Sequence, residues 1–305
     1  MSHASFLSRR EFLQCLADAS ACGFCLSGQA AGQAASEQDA SQLYDVARFG
    51  NVHLLHFTDC HAQLLPLHFR EPSVNLGLGT AQGQWPHLVG EQLLKAAQIA
   101  PGSRLAHAFT SLDFAAASAR YGKVGGFAHL ATLIKQLRAN RPQAILLDGG
   151  DTWQGSATAL WTKGQDMVDA CLLLGVDAMT AHWEMTLGQS RVQELIGKMQ
   201  GKIAFLAQNV HTQDFGDEVF APTLWREMNG VPVAIIGQAF PYTPIANPRH
   251  LVPDWRFGLE EESLQKHINT ARAKGAQVVV LLSHNGMDVD LKMASRVTGL
   301  DAILG

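Results

Sequence analysis

Metal-ligating residue types follow four predicted strands of this 305-residue chain, at the points where the strands end. Short apolar runs predict these strands at 52–58, 144–147, 176–180 and 278–282. In α/β folds, ligands bind beyond the carboxyl ends of the strands, so the residues that follow them are expected to meet at one edge. The candidate ligands are Asp59, His61, Asp151, His182 and His284. Mixed oxygen and nitrogen ligands suit octahedral Mn²⁺ or Fe²⁺, with Zn²⁺ as an alternative.

The spacing of these residues indicates a site with two metal ions. An Asp-x-His pair on a turn can place the carboxylate of Asp59 and the imidazole of His61 on one ion. Asp151 follows two glycines, which leave space around its carboxylate, so that it can bridge two ions. Two such ions would clamp a tetrahedral oxyanion ester and generate hydroxide between them. Taken singly, Asp151 could instead cap the next helix and His284 could be a structural histidine; the joint pattern favours the metal site.

The remaining elements alternate between helix and strand, which is typical of an α/β fold. Periodic apolar positions predict helices at 125–140, 167–174, 191–199, 259–274 and 291–296. Further strands are predicted at 203–207 and 302–304, and two more flank Asn229-Gly230 as a hairpin. The stretch 64–122 is rich in Gly, Pro and Ala and is expected to form long loops with some helix.

Composition excludes several classes of protein. Hydrophobic residues make up 47% of the chain and charged residues 16%, so it can bury a core. The net charge of −4 argues against a nucleic-acid-binding protein. No apolar run approaches the ~20 residues of a membrane span.

The first 50 residues resemble a targeting segment. Arg9-Arg10 precede an apolar stretch and then a small-residue region, the order found in twin-arginine export signals. We therefore expect an export signal at 1–35, a polar linker at 36–50 and a periplasmic location; an ordinary solvated start with two arginines is the alternative. Cys22 weakly resembles a lipoprotein cleavage site.

Beyond residue 50, the sequence resembles the 5′-nucleotidase-like metallophosphoesterases, and within them the thiosulfohydrolases (sulfate thiol esterases) of bacterial sulfur oxidation. Six motifs carry the resemblance: Thr58–Leu64, Phe69–Asn75, Gly122–His129, Leu147–Ser156, His182–Glu184 and Ser283–Asp290. Cys60 departs from the family pattern, which usually has Thr or another small polar residue between the first two ligands.

The resemblance implies a calcineurin-like αββα sandwich over 51–305 that holds two manganese ions. Asp59 and His61 would bind the first ion, Asp151 would bridge, and His182 and His284 would bind the second. Metal-bound hydroxide would be the attacking group. The implied substrate is a cysteine-linked thiosulfonate on a SoxYZ-type sulfur carrier protein, from which sulfate is released.

Two residues beside the third strand end separate the thiosulfohydrolases from the phosphoesterases. Phosphoesterases of this family have a catalytic His where this chain has Trp183, and a supporting Asp where it has Thr186. A thiolate needs little protonation to leave, so the missing acid favours a sulfur-linked substrate. A 5′-nucleotidase or other phosphoesterase in which Trp183 only packs is the alternative.

The family pattern continues beyond the last residue of this chain. Its Gly-His-x-His motif follows a strand like 302–304, and a C-terminal substrate domain comes after it. We therefore expect a metallophosphoesterase domain that is incomplete at its C-terminus, with the substrate domain absent. This leaves a third interpretation, an inactive metal-binding fragment.

Overall fold

A computed structural model describes residues 47–68 and 72–305. The predicted export signal, and the linker up to residue 46, lie outside the described residues. So does the Phe69-Arg70-Glu71 portion of one family motif. The last four linker residues, 47–50, are exposed and irregular.

The described elements alternate along most of the chain. The strands are β1 (Leu54–Phe57), β2 (Ile145–Asp148), β3 (Ala178–Met179), β4 (Ala204–Phe205), β5 (Val210–Thr212), β6 (Thr223–Met228), β7 (Val231–Gln238), β8 (Trp255–Phe257), β9 (Val278–Ser283) and β10 (Ala302–Leu304). The α-helices are α1 (Gly90–Ala96), α2 (Arg104–Phe109), α3 (Phe114–Tyr121), α4 (Phe127–Ala139), α5 (Ala157–Thr162), α6 (Gln165–Leu174), α7 (Gln189–Met199), α8 (Thr243–Ala246), α9 (Glu261–Ala273) and α10 (Met287–Arg296). Short 3₁₀ turns lie at Gly79–Ala81, Trp183–Leu187 and Arg249–Leu251.

The chain divides into two compact units. Among the described residues, one unit contains 68 and 72–123, and the other contains 47–67 and 124–305. Helices α1 to α3 belong to the first unit, where Leu94, Ile99 and Ala106 form a small apolar core. These helices occupy the stretch for which the sequence predicts only loops with some helix.

Two four-stranded sheets form the centre of the second unit. The first sheet has the order β1-β2-β3-β4 and is parallel throughout. The second has the order β10-β9-β7-β6, in which β6 alone runs antiparallel to its neighbour. Strands β5 and β8 make a separate antiparallel pair.

Alternating side chains of the strands build three apolar layers. Ile145 and Leu147 of β2 share one buried cluster with Ile235 of β7 and Leu282 of β9, so the two sheets pack face to face. Leu146 points to the opposite face of the first sheet, into a cluster with helices α4, α6 and α7. On the second sheet, the alternate residues pack against α9 and α10. The predicted αββα sandwich is therefore confirmed.

The Asn229-Gly230 hairpin is confirmed in its conformational detail. Both residues have positive φ angles, +50° for Asn229 and +80° for Gly230. Two consecutive positive φ angles define the type I′ turn that this dipeptide favours.

No helix among the described residues is long and apolar enough to cross a lipid bilayer.

Candidate metal centre

The structure brings all five predicted ligands together at the carboxyl ends of four strands. The polar side chains form two groups that share Asp151, and within each group the candidate ligand atoms lie within 4.8 Å of one another. The first group is Asp59, His61 and Asp151; the second is Asp151, His182 and His284. This is the pairing that the family resemblance implies, with Asp151 between the two groups.

Oδ2 of Asp151 lies at the centre of the arrangement. It is 3.5 Å from Nε2 of His61 and 3.0 Å from Nδ1 of His182. Nε2 of His284 is 3.1 Å from the same Nδ1 of His182 and 3.8 Å from Oδ1 of Asp59. Because both groups contain Asp151, an ion held by one group would lie beside an ion held by the other.

The main chain at the candidate ligands adopts an unusual conformation. Asp59, His61, Ala62 and Asp151 all have positive φ angles, between +47° and +57°. For residues other than glycine, each such conformation costs on the order of 1–3 kcal/mol and persists only where the surroundings enforce it. The loop after β1 is indeed fastened to the loop after β2 by backbone hydrogen bonds from Asp59 to Gly150 and from His61 to Asp151.

Glycines let the strand ends approach closely. A Cβ atom at Gly149 would lie 2.6 Å from Oγ1 of Thr58, and one at Gly150 would lie 3.1 Å from the backbone of Ala181. A side chain at either position would therefore collide with a neighbouring strand end, so both positions require glycine.

Burial and charge act in opposite directions on Asp151. Its side chain is only 4% exposed, and burial alone would raise the pKa of its carboxyl. The hydrogen bond from His182 and the charges of His61, His182 and His284 outweigh burial and hold this pKa below its ordinary value. Asp151 is therefore ionised at neutral pH, as a metal-bridging carboxylate must be.

The donor set fits divalent cations. Oδ1 of Asp151 is buried and has no hydrogen-bond partner among the described residues, which leaves its lone pairs available. A buried polar atom of this kind is costly without a partner, and a cation would supply one. Asp59 and His61 differ from Asp151 in accessibility: their side chains are 48% and 56% exposed, so this part of the centre faces solvent.

His284 comes from the second sheet and is oriented by the first. Its Nδ1–H donates to the carbonyl oxygen of Gly149 at 2.7 Å, which leaves the Nε2 lone pair directed toward His182 and Asp59. A hydrogen bond of this kind fixes the tautomer and the ring orientation of a ligating histidine.

Two buried carboxyl groups beside the centre were not predicted from the sequence as functional residues. Asp148 is fully buried, and burial raises its pKa to about 7. Its Oδ1 accepts hydrogen bonds from the backbone N–H of Gly150 and the hydroxyl of Thr152. Glu184 is also fully buried and contacts both the Asp151 loop and His182. Each lies within a family motif, but residue type alone does not distinguish a supporting carboxyl from a ligand.

Aromatic rings line the His182 side of the centre. The Phe240 ring lies 4.1 Å from that of His182, and the Trp183 ring lies 5.6 Å from it. Trp183 is 43% exposed, so part of this residue contacts solvent. The Thr186 hydroxyl donates a hydrogen bond to the carbonyl oxygen of Trp183, and this contact stabilises the 3₁₀ turn that contains both residues.

Cys60 is an inert thiol in this setting. Burial, followed by the nearby charges of Asp148 and Asp59, raises its pKa to about 12. A thiol with so high a pKa is protonated at neutral pH and is a poor nucleophile or metal ligand.

Comparisons with known proteins agree with this fold. No family model matches the sequence. A solved structure of the sulfate thiohydrolase SoxB from Thermus thermophilus, in complex with glycerol, has a TM-score of 0.78 and 37% sequence identity. The match covers 85% of this chain and 48% of that one. A 5′-nucleotidase precursor from the same organism gives a TM-score of 0.58 at 25% identity, covering 83% of this chain and 40% of that one.

Curated sequences give a related result. The snake venom 5′-nucleotidase of Gloydius brevicauda is 32% identical over 187 residues, which make up 59% of this chain and 31% of that protein. The chain thus spans about half the length of the SoxB structure and about a third of the nucleotidase. The resemblance indicated by the motifs is confirmed: this chain has the metallophosphoesterase fold and is similar to SoxB and to the 5′-nucleotidases.

Proposed function

We propose that this chain provides the two-metal core of a hydrolase that releases sulfate from a cysteine-linked thiosulfonate. The observation that carries the proposal is Asp151, whose carboxylate is shared by two groups of candidate ligands. Asp59 and His61 would hold one ion, and His182 and His284 would hold the other. Carboxylate and imidazole ligands suit two Mn²⁺ ions, with Fe²⁺ or Zn²⁺ as alternatives.

When bound, two divalent ions would supply positive charge against an oxyanion and would lower the pKa of water at the site. The residues of this chain hold the reacting groups in place. Asp59 and His61 line the exposed part of the centre, where a sulfonate could approach. Asp151, nearly buried, stays ionised through its contacts with the imidazoles.

The proposed reaction is a simple hydrolysis. Water adds to the sulfonate sulfur of the carrier's Cys–S–S–SO₃⁻ group and forms a new S–O bond. The bond between the sulfonate sulfur and the adjacent sulfur breaks, the S–S bond to the carrier cysteine stays intact, and both protons of the water pass to solvent. The products are sulfate and the carrier persulfide, whose sulfur takes the electron pair of the broken bond. No oxidant or reductant is consumed.

Trp183 and Thr186 favour a sulfur leaving group. An indole N–H can donate a hydrogen bond but cannot serve as an acid, so Trp183 cannot protonate an alkoxide. The Thr186 hydroxyl is engaged with the Trp183 carbonyl and with Nε2 of Gln154. A thiolate or persulfide leaves with little help because its conjugate acid is far stronger than an alcohol.

A 5′-nucleotidase or related phosphoesterase is the second candidate. The observation in its favour is the 32% identity to the snake venom enzyme over 187 residues. A phosphate ester is also a tetrahedral oxyanion, so the same two groups of ligands would suit it. The two candidates differ in the leaving group that the site must stabilise.

The resemblance also suggests a partner and a compartment. A SoxYZ-type sulfur carrier protein would present the thiosulfonate, and export by the twin-arginine route would bring the enzyme to the periplasm. The 37% identity to SoxB supports the partner. Arg9-Arg10 is the sequence feature that supports the route of export.

Hydrolysis of two substrates by the Mn²⁺-loaded protein tests the proposal. One substrate is a peptide with a cysteine-linked thiosulfonate, assayed by sulfate release; the other is adenosine monophosphate, assayed by phosphate release. We expect sulfate release to have the larger kcat/KM. Replacement of Asp151 by Asn should abolish it, and replacement of the exposed Asp214 by Asn should not.

Each other outcome selects a different interpretation. Fast phosphate release with no action on the thiosulfonate would overturn the thiosulfohydrolase and support the nucleotidase. Activity on neither substrate, with metal bound, would support the inactive metal-binding fragment.

A further inference from the structure

We infer that Glu184 is a positioning residue that sets the separation between the bridging carboxylate and the His182 ligand. The inference rests on the proposed function, because it assigns Glu184 a task toward the metal site. Glu184 is fully buried and lies on the 3₁₀ turn that follows His182.

The two oxygens of Glu184 contact two different loops. Oε1 accepts hydrogen bonds from the backbone N–H of Thr152 at 2.7 Å and of Trp153 at 3.2 Å. Oε2 accepts one from the backbone N–H of His182 at 2.7 Å. One carboxylate therefore joins the segment after Asp151 to the residue that carries the neighbouring imidazole.

The hydrogen bonds of Glu184 require that both of its terminal atoms are acceptors. A carboxylate offers only acceptors, whereas an amide has one acceptor oxygen and one donor NH₂. With glutamine at this position, one loop would keep its hydrogen bonds and the NH₂ would face an N–H of the other. Two opposed donors repel, so the loops would move apart while the side-chain volume stayed the same.

The position of His182 relative to Asp151 depends on this link. Nδ1 of His182 lies 3.0 Å from Oδ2 of Asp151, and both residues belong to one group of candidate ligands. His182 also has a φ of −130° and a ψ of −98°, outside the regular regions, so its own backbone preference does not hold it there. Mutation of a residue whose hydrogen bonds orient a metal ligand typically lowers metal affinity 10- to 100-fold.

Asp177 offers a matched control on the same pair of strands. It lies at the start of β3, where its Oδ2 accepts from the backbone N–H of Leu146 at 2.8 Å and from Arg138 at 3.1 Å. Both contacts use one oxygen, so Asp177→Asn can keep its acceptor. The control thus makes the same chemical change at the opposite end of the sheet from the candidate ligands.

The test is a Mn²⁺ titration of three full-length proteins: the wild type, Glu184→Gln and Asp177→Asn. Electron paramagnetic resonance measures the concentration of free Mn²⁺ at each step. Thermal unfolding in EDTA measures the stability of each variant without metal. We expect Glu184→Gln to weaken Mn²⁺ binding by about 10-fold or more. Asp177→Asn should change it by less than about twofold, whatever either variant does to unfolding in EDTA.

Two results would overturn the inference. Wild-type Mn²⁺ affinity in Glu184→Gln, with a lowered unfolding temperature, would show that Glu184 supports the fold alone. Equal losses of affinity in both variants would show a general effect of destabilisation. If Glu184→Gln does not fold, Glu184→Asp keeps the charge but cannot span both loops, and it must weaken binding too. A wild-type chain that binds no divalent ion would instead refute the proposed function itself.

Discussion

At the scale of single residues, the candidate centre depends on side chains whose local backbone is unfavourable. Asp59, His61 and Asp151 are held at positive φ by hydrogen bonds between the loops after β1 and β2. The sequence predicts these residues as ligands from their type and their place after strands. It does not predict their conformation, because neither Asp nor His prefers it strongly enough to signal it.

Asp148 predicts a measurable dependence of stability on pH. Its pKa is about 7 in the fold because it is buried, against an ordinary value of 3.8. A raised pKa means that its stabilising contribution is complete below about pH 4 and is lost as the pH rises through 7. Asp148→Asn keeps an acceptor for Gly150 and Thr152 but removes the titration.

The prediction concerns the difference in unfolding temperature between the wild type and Asp148→Asn. In EDTA, the unfolding temperature of the wild type should fall relative to Asp148→Asn between pH 4 and pH 7.5. Calorimetry across that range would check it. A constant difference between the two proteins would mean that Asp148 does not titrate there.

The chemistry at Trp183 can be tested by restoring the phosphoesterase pair. Trp183→His with Thr186→Asp would supply an imidazole and a carboxylate to support it. General acid help is typically worth ~10²–10⁴-fold, and we expect a gain near the lower end in kcat on an aryl phosphate. Trp225→His, on the edge strand β6, is the matched control. If the double variant hydrolyses phosphate no faster than this control, the leaving-group argument is wrong.

At the scale of elements, strands that carry a local sequence signal were predictable. The β6–β7 hairpin follows from Asn229-Gly230, and β10 has the predicted bounds of 302–304. Strands β5 and β8 were missed. Each has three residues, and their partners are more than 40 positions apart in sequence, so no local period marks them.

The approach of β7 to the segment after β4 is a second feature that depends on tertiary contacts. A Cβ atom at Gly237 would meet both the side chain and the backbone of Leu206, closer than any ordinary contact. Gly197, inside helix α7, has no heavy atom within 4 Å of such a Cβ. Nothing in the residue type distinguishes these two glycines.

The two glycines predict opposite effects of the same substitution. Gly237→Ala should destabilise the fold by about 1–3 kcal/mol or more, since overpacking displaces backbone. Gly197→Ala should stabilise it by roughly 0.5–1 kcal/mol, because alanine favours helix. Urea unfolding of both variants would measure this. Equal and small effects would mean that the sheets do not approach as closely as described.

At the scale of the whole molecule, both sheets of the sandwich contribute to one centre. The first sheet supplies four candidate ligands and the second supplies His284, whose Nδ1–H donates to Gly149 of the first sheet. The order of strands and helices made an α/β fold predictable. The face-to-face packing of the sheets came from the family resemblance, since alternating apolar residues do not identify the partner of each face.

The central claim is that two metal ions share Asp151, and the metal content of three variants tests it most directly. Mn²⁺ bound per chain would be measured after dialysis against a saturating concentration, by mass spectrometry with protein quantitation. We expect Asp151→Ala to lose both ions, His284→Ala to lose one, and the exposed Asp214→Ala to match the wild type. Retention of two ions by Asp151→Ala, or a loss no greater than that of His284→Ala, would contradict the account.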